Sequence, residues 1–229
     1  MNNDADNTSA APPGNRNRLH TLTGNPEDGR MATILQVIPA LGSGGGVERG
    51  TVEIAEAITD AGGRALVVSV GGSQVHEIAR AGGEHIELPL HSKNPVVIYK
   101  NILRLAALIE RENVDLVHVR SRAPAWSALY AAKRTKRPLV TTFHGTYNTR
   151  NFIKRAYNSV MTKGERVIAI SDFIAEHVHR LYGVPASRLR IIHRGVDLYR
   201  FNPANVSYKY IIKLFRKTAI TRTRSIVKK

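Results

Sequence analysis

Between residues 33 and 203, short apolar runs of four to six residues alternate with segments whose apolar positions recur at helical spacing. The first run, 33–38, predicts a strand. A helix over 47–61 follows, with Val47, Ile54, Ala55 and Ile58 on one face, and Gly62-Gly63 end it by supplying positive φ. Further strands are predicted over 65–70, 85–88, 116–120, 139–143, 167–170 and 190–193. Helices over 75–81, 96–112, 124–134 and 152–162 separate them, with a last helix from the capping Ser171 to Tyr182. In 96–112 the inward stripe is Ile98, Ile102, Leu105 and Ile109. Strands this apolar have no face to give to water. The expected fold class is α/β, a Rossmann-like parallel sheet with helices on both faces. Ligand sites in such sheets lie beyond the strand C-termini.

The two ends break the pattern. Residues 1–30 are rich in Asn, Pro, Gly and Asp, have no apolar periodicity and read as a disordered leader; Met31 reads as an alternative start. Residues 31–204 form the predicted domain. In 205–229 the composition changes: Tyr208, Ile211, Ile212, Phe215 and Ala219 follow helical spacing, with Lys209, Lys213, Arg216 and Lys217 opposite. Two readings stand for this tail, a non-native end or a basic amphipathic helix on anionic lipid, and the abrupt change of composition favours the first.

Charge sharpens this picture. The net charge is +16, and residues 205–229 supply eight basic residues and no acid. Arg120, Arg122, Lys133, Arg134, Lys136 and Arg137 add a second basic cluster. Such a surface favours acidic lipid, phosphorylated sugars or nucleic acid, and charge alone does not choose among them. The absence of cysteine excludes disulfides and thiolate metal sites. No apolar run is long enough to span a bilayer, and no secretory signal pattern opens the chain, so a cytoplasmic location is expected.

The candidate chemistry begins between the first strand and its helix, at Gly42-Ser43-Gly44-Gly45-Gly46-Val47-Glu48-Arg49. Glycines let the backbone approach a ligand, and a helix start offers unpaired N–H groups and a positive dipole, which together suit a phosphate. A nicotinamide site fits poorly. The position that a G-x-G-x-x-G pattern requires as glycine is Val47, and the stretch from Val68 to Gly72 supplies no acid for a ribose. A Walker loop is excluded, since no Gly-Lys-Ser/Thr is present.

Five pieces in order resemble the N-terminal half of family 4 glycosyltransferases. They are Gly-Gly-Gly-Val-Glu-Arg at 44–49, Asp115-Leu-Val-His118-Val-Arg120, Thr141-Thr-Phe-His144-Gly145, Val167-Ile-Ala-Ile-Ser171, and Arg194-Gly195-Val196-Asp197 followed by Phe201 and Pro203. Arg194 departs from the family, where Asn is commoner. The resemblance implies a GT-B architecture of two Rossmann-like halves. It implies transfer of a sugar from a nucleotide sugar to a cell-envelope saccharide or lipid-linked acceptor, as in lipopolysaccharide biosynthesis. Anomeric retention and catalysis without a metal or other cofactor are implied with it. It also implies contact with an anionic membrane rather than nucleic acid, at the inner face of the cytoplasmic membrane.

By the same resemblance, Gly44, Gly45, Gly46 and Val47 approach the donor diphosphate and His144 contacts the transferred sugar. Arg194, Gly195 and Asp197 lie where the first half hands over to the second. Arg120, Ser121, Arg122 and Gly145 are candidate acceptor ligands, with a solvated basic loop as the competing reading for the arginines; His118 is given a packing role. The sole Asp-x-Asp, Asp4 to Asp6, lies in the leader, and His177 and His179 point to different helix faces, a poor metal pair. The paired glutamates of the family's second half have no counterpart after Pro203, so an incomplete, inactive form is expected. An acceptor-binding subunit of a split transferase and a non-catalytic Rossmann-like binding module remain as alternatives.

Overall fold

The computed structural model describes residues 30–43, 45–92, 94–147 and 151–195. The elements are β1 (Thr33–Val37), α1 (Gly46–Asp60), β2 (Arg64–Ser69), α2 (Val75–Arg80), β3 (Glu84–Glu87), α3 (Pro95–Arg111) and β4 (Leu116–Val119). After these come α4 (Arg122–Arg134), β5 (Leu139–Phe143), α5 (Phe152–Asn158), a 3-10 turn (Ser159–Thr162), β6 (Arg166–Ala169), α6 (Asp172–Tyr182) and β7 (Leu189–Ile191). The strands form one parallel sheet in the order β3-β2-β1-β4-β5-β6-β7. It lies within the compact unit Met1–Ile192; a second unit comprises His193–Lys229.

This order makes the chain reverse direction. It moves outward from β1 to β3, then returns past β1 to β4 and continues to β7. Right-handed crossovers put helices of opposite travel on opposite faces. Accordingly Ala55 and Ile58 of α1 and Ile78 of α2 pack on one face with Ala65 and Val67. On the other, Leu105 and Ile109 of α3, Ala128 of α4 and Val178 of α6 pack with Val117, Phe143 and Val167.

Several strands sit one residue earlier than the apolar runs predict. β2, β3 and β6 open on Arg64, Glu84 and Arg166, charged residues that join the ladder at the sheet rim while their side chains stay in solvent. Arg64 is ion-paired there with both Glu84 and Glu112. Hydrogen bonding asks nothing of side-chain polarity, so the ladder outruns the apolar signal. The predicted helix over 152–162 also divides. After Asn158 the backbone tightens into the 3-10 turn, which seats Val160 and Met161 in the core and lets Thr141 Oγ1 donate to the Met161 carbonyl at 2.5 Å.

Asp115, just before β4, ties the start of the sheet together. Its carboxylate accepts from the Thr33 backbone N–H at 2.8 Å and takes both terminal nitrogens of Arg30 at 2.9 and 2.6 Å. Its own N–H donates to the Thr33 carbonyl. Asp115→Ala leaves the half-buried Thr33 amide and the guanidinium without this partner. It should destabilise the fold by about 1–3 kcal/mol; a urea midpoint unchanged from the parent would refute this role.

Candidate functional site

The crevice that the reversal opens lies between the C-terminal ends of β1 and β4. Beyond β1 the chain runs through Leu41 and the glycine loop into α1. The loop is braced from the β2–α2 connection. Leu41 N–H donates to the Gly71 carbonyl at 2.8 Å, Gln74 N–H to the Leu41 carbonyl at 3.0 Å, and Gln74 Nε2 to the Gly42 carbonyl at 2.8 Å. Gly72, at φ +140°, has no room for a side chain, because a Cβ would strike the Leu41 carbonyl. This support was not legible in the sequence, where Gly71-Gly72 registered only as lacking a ribose acid.

Gly45 caps α1 in extended conformation, and Gly46 and Val47 open the helix without a side-chain cap. A Cβ at Gly45 would collide with the Glu48 carboxylate, so that acid folds back over the helix start. Negative charge is favourable at a helix N-terminus. Gly44 lies outside the described residues, as do Asp197, Asp4 and Asp6. Arg194 and Gly195 are exposed, in the second compact unit.

Across the crevice, His118 and Thr142 are buried polar positions in mostly apolar strands. His118 Nε2 and Thr142 Oγ1 share a hydrogen bond of 2.7 Å. The β1–β4 register sets Gln36 beside His118. Gln36 is wholly buried, and its Nε2 donates to the Thr51 carbonyl of α1. His118 therefore does more than pack: it links β4 to the strand that carries His144. Burial first, then the nearby Arg120 guanidinium and His144, push the His118 imidazole down to about 3, so it is neutral at ordinary pH.

Arg120 is 3 % exposed, which removes the solvated-loop reading for it. Its backbone N–H donates to the Val37 carbonyl, holding the ends of β4 and β1 together. Ser121 occupies the N-cap position of α4 without a side-chain cap bond. Arg122 is engaged within the protein: Nη1 donates to Asn158 Oδ1 at 2.9 Å, and its guanidinium lies 4.2 Å from the Tyr147 ring centroid. Burial pushes the Tyr147 hydroxyl up to about 12, and its ring packs on Phe143 at 5.2 Å. Nothing approaches within 4 Å of the place a Cβ would take at Gly145, next to the half-buried His144. The structure thus brings Arg120, His118 and His144 together, and draws Arg122 toward α5.

His179 Nδ1 donates to the Val184 carbonyl at 2.8 Å, which ties the end of α6 to the loop that follows it. A cleft of about 370 Å³ between α6 and β7 is lined by none of the candidate residues.

The folded state withholds a proton from His118 that the unfolded chain binds below its ordinary value of 6.5. Stability is therefore full above that pH and falls as pH drops from about 6.5 toward 3. The slope approaches about 1.4 kcal/mol per pH unit. His118→Gln should flatten that acid limb, read as urea midpoints across the range; parallel curves for parent and variant would assign the loss elsewhere.

The Glycosyltransferase Family 4 profile matches residues 44–200. Among solved structures, a glycosyltransferase from Rickettsia africae is 44 % identical over 82 % of this chain and 50 % of its own, with a TM-score of 0.68. Anabaena HepE in complex with UDP-glucose is 19 % identical over 82 % of this chain and 50 % of its own, TM-score 0.60. The lipopolysaccharide outer core galactosyltransferase WaaB is 12 % identical over 72 % of this chain and 46 % of its own, TM-score 0.55. The chain spans about half the length of the structures it matches. Among curated proteins no sequence matches it. With the match over 44–200 set on a reversed parallel sheet whose crevice holds the glycine loop and His144, the chain belongs to glycosyltransferase family 4.

Proposed function

We propose that this chain is the acceptor-side half of a retaining hexosyltransferase. In this reading it moves a sugar from a nucleotide sugar to a saccharide or lipid-linked acceptor of the cell envelope, at the inner face of an anionic membrane. The observation that carries the reading is the shared crevice: the helix start of α1 follows the loop beyond β1, and Arg120 and His144 follow the ends of β4 and β5. Support for a nucleotide-sugar donor comes from the relative bound to UDP-glucose.

The chemistry follows from charge. As the bond from the anomeric carbon to the diphosphate breaks, negative charge builds on the departing phosphate oxygens. Backbone N–H groups at Gly45–Val47 are fixed by the helix start, so they stabilise that charge with little movement of the backbone. Glu48 must swing off the helix start to admit the diphosphate. His144 hydrogen-bonds the sugar as positive charge develops at its ring carbon, and no metal enters this account. A cation as buried as Arg120 suits an acidic or phosphorylated acceptor, with Ser121 and Gly145 beside it. Arg122 contributes by holding Tyr147 and Asn158 in place. Arg194, Gly195 and Asp197 form the hand-over to a second, nucleotide-holding half.

The test uses this chain joined at that hand-over to a family 4 donor half and supplied with nucleotide sugars and envelope saccharides. His144→Ala should lower kcat about 100-fold or more. Stability should change far less than turnover, by about 1–2 kcal/mol, the usual range for a point substitution. Unchanged turnover would remove His144 from the mechanism. An inactive parent that nonetheless binds acceptor would leave only acceptor binding of the proposed function.

A further inference from the structure

Ser69 ends the apolar run of β2 and is wholly buried. A hydroxyl is costly to bury unless its hydrogen-bonding groups find partners. Here Ser69 Oγ accepts from the Gly71 backbone N–H at 2.9 Å and lies 2.8 Å from His85 Nε2, on the edge strand β3. Gly71 supplies one proton to this oxygen, so the hydroxyl's own proton is directed to Nε2. The imidazole accepts there and carries its proton on Nδ1. Burial, stronger here than the opposing charge of Glu87, holds the His85 ring below its ordinary value, which keeps it neutral and able to accept.

The strand itself does not need this hydroxyl. Ser69 pairs with Glu87 in the β2–β3 ladder, and its carbonyl accepts from Leu88 N–H at 2.8 Å, through backbone alone. What the side chain adds is a hold on the turn that follows. Gly71 and Gly72 have φ of +93° and +140°, and glycine has no side chain to restrict its backbone, so partners must fix this turn. Gly71 is held on both sides: its N–H by Ser69, its carbonyl by Leu41 N–H. Leu41 in turn accepts from Gln74 N–H, and Gln74 Nε2 closes on the Gly42 carbonyl. A continuous series of hydrogen bonds therefore runs from the His85 ring to the glycine loop that opens α1.

We propose that Ser69 and His85 are positioning residues for the glycine loop: through the Gly71–Gly72 turn they set where the Gly45–Val47 N–H groups stand as the donor diphosphate departs. The inference rests on the proposed function for that reaction and adds to it two residues that act through Gly71. Donors aimed at a leaving group matter most where its charge is greatest, in the transition state. Loosening the turn therefore costs turnover more than it costs binding of the nucleotide sugar.

Residue-resolved amide hydrogen exchange on the full chain tests the brace without any sugar transfer. Rates are taken relative to the Arg120 amide, which bonds the Val37 carbonyl and reports on the sheet. In Ser69→Ala the Gly71, Leu41 and Gln74 amides should exchange about 10-fold faster on this relative scale. His85→Leu, at a half-buried edge position, should act in the same direction and serves if Ser69→Ala fails to fold. His85→Gln, which keeps an acceptor for the hydroxyl, should restore the parental rates. In this chain joined to a family 4 donor half, Ser69→Ala and His85→Leu should lower kcat about 10-fold and change KM for the nucleotide sugar less than about 2-fold, with His85→Gln close to the parent. Unchanged relative exchange in both variants would overturn the brace, whatever the enzyme does. Faster exchange with parental kcat in an active joined enzyme would overturn the positioning role, as would a loss in His85→Gln equal to that in His85→Leu. A joined parent that transfers no sugar would strike the proposed function and the catalytic part of this inference with it, and exchange alone would then decide the brace.

Discussion

The pairing of β4 against β1 is the constraint on which the rest depends. It forces the chain back through the middle of its own sheet after β3. Since crossovers keep one hand, the reversal sends α1 and α2 to one face and α3 onward to the other. Between the departing connections a gap must open at the ends of β1 and β4, and no helix can fill it. The Arg120 N–H to Val37 carbonyl bond and the Asp115 contacts to Thr33 hold the two strands at their opposite ends, so the gap has firm walls.

That geometry explains why buried polar groups concentrate there. Gln36, His118, Arg120 and Thr142 are each at most 5 % exposed, in or just beyond strands that are mostly apolar. Polar side chains are costly to bury unless they are bonded. Here Gln36 reaches α1, and His118 reaches Thr142, so side chains join the glycine-loop helix to β1 and β4 to β5, and the sheet joins the two pairs. A neutral His118 beside a buried guanidinium keeps the positive charge of the site on Arg120, where an anionic substrate group would meet it.

The two helical faces divide the electrostatic labour in the same way. Acids sit on the layer of α1 and α2, where Arg49 pairs with Glu53 and Arg80 with Glu77. Together α3 and α4 carry six basic residues against the single acid Glu110, so the field around them is positive.

The sequence by itself determined the element types and the parallel sheet, because strands buried on both faces must be apolar and helices buried on one face must be periodic. It also determined the family, through five ordered motifs, and the position of His144 at a strand end. Boundaries escaped it by a residue or two where charged rim residues such as Arg64 and Arg166 join the ladder. Only the tertiary structure decided the roles of the polar residues. Arg120 and Arg122 are two positions apart and equally basic in the chain, yet one lies buried in the crevice and the other is held by Asn158 and Tyr147. His118 and Thr142 are 24 residues apart, and nothing local announces their bond. Their only sequence signal was polarity inside an apolar run. What such a residue touches depends on strand order and register, which are set by contacts between distant segments and not by any local pattern.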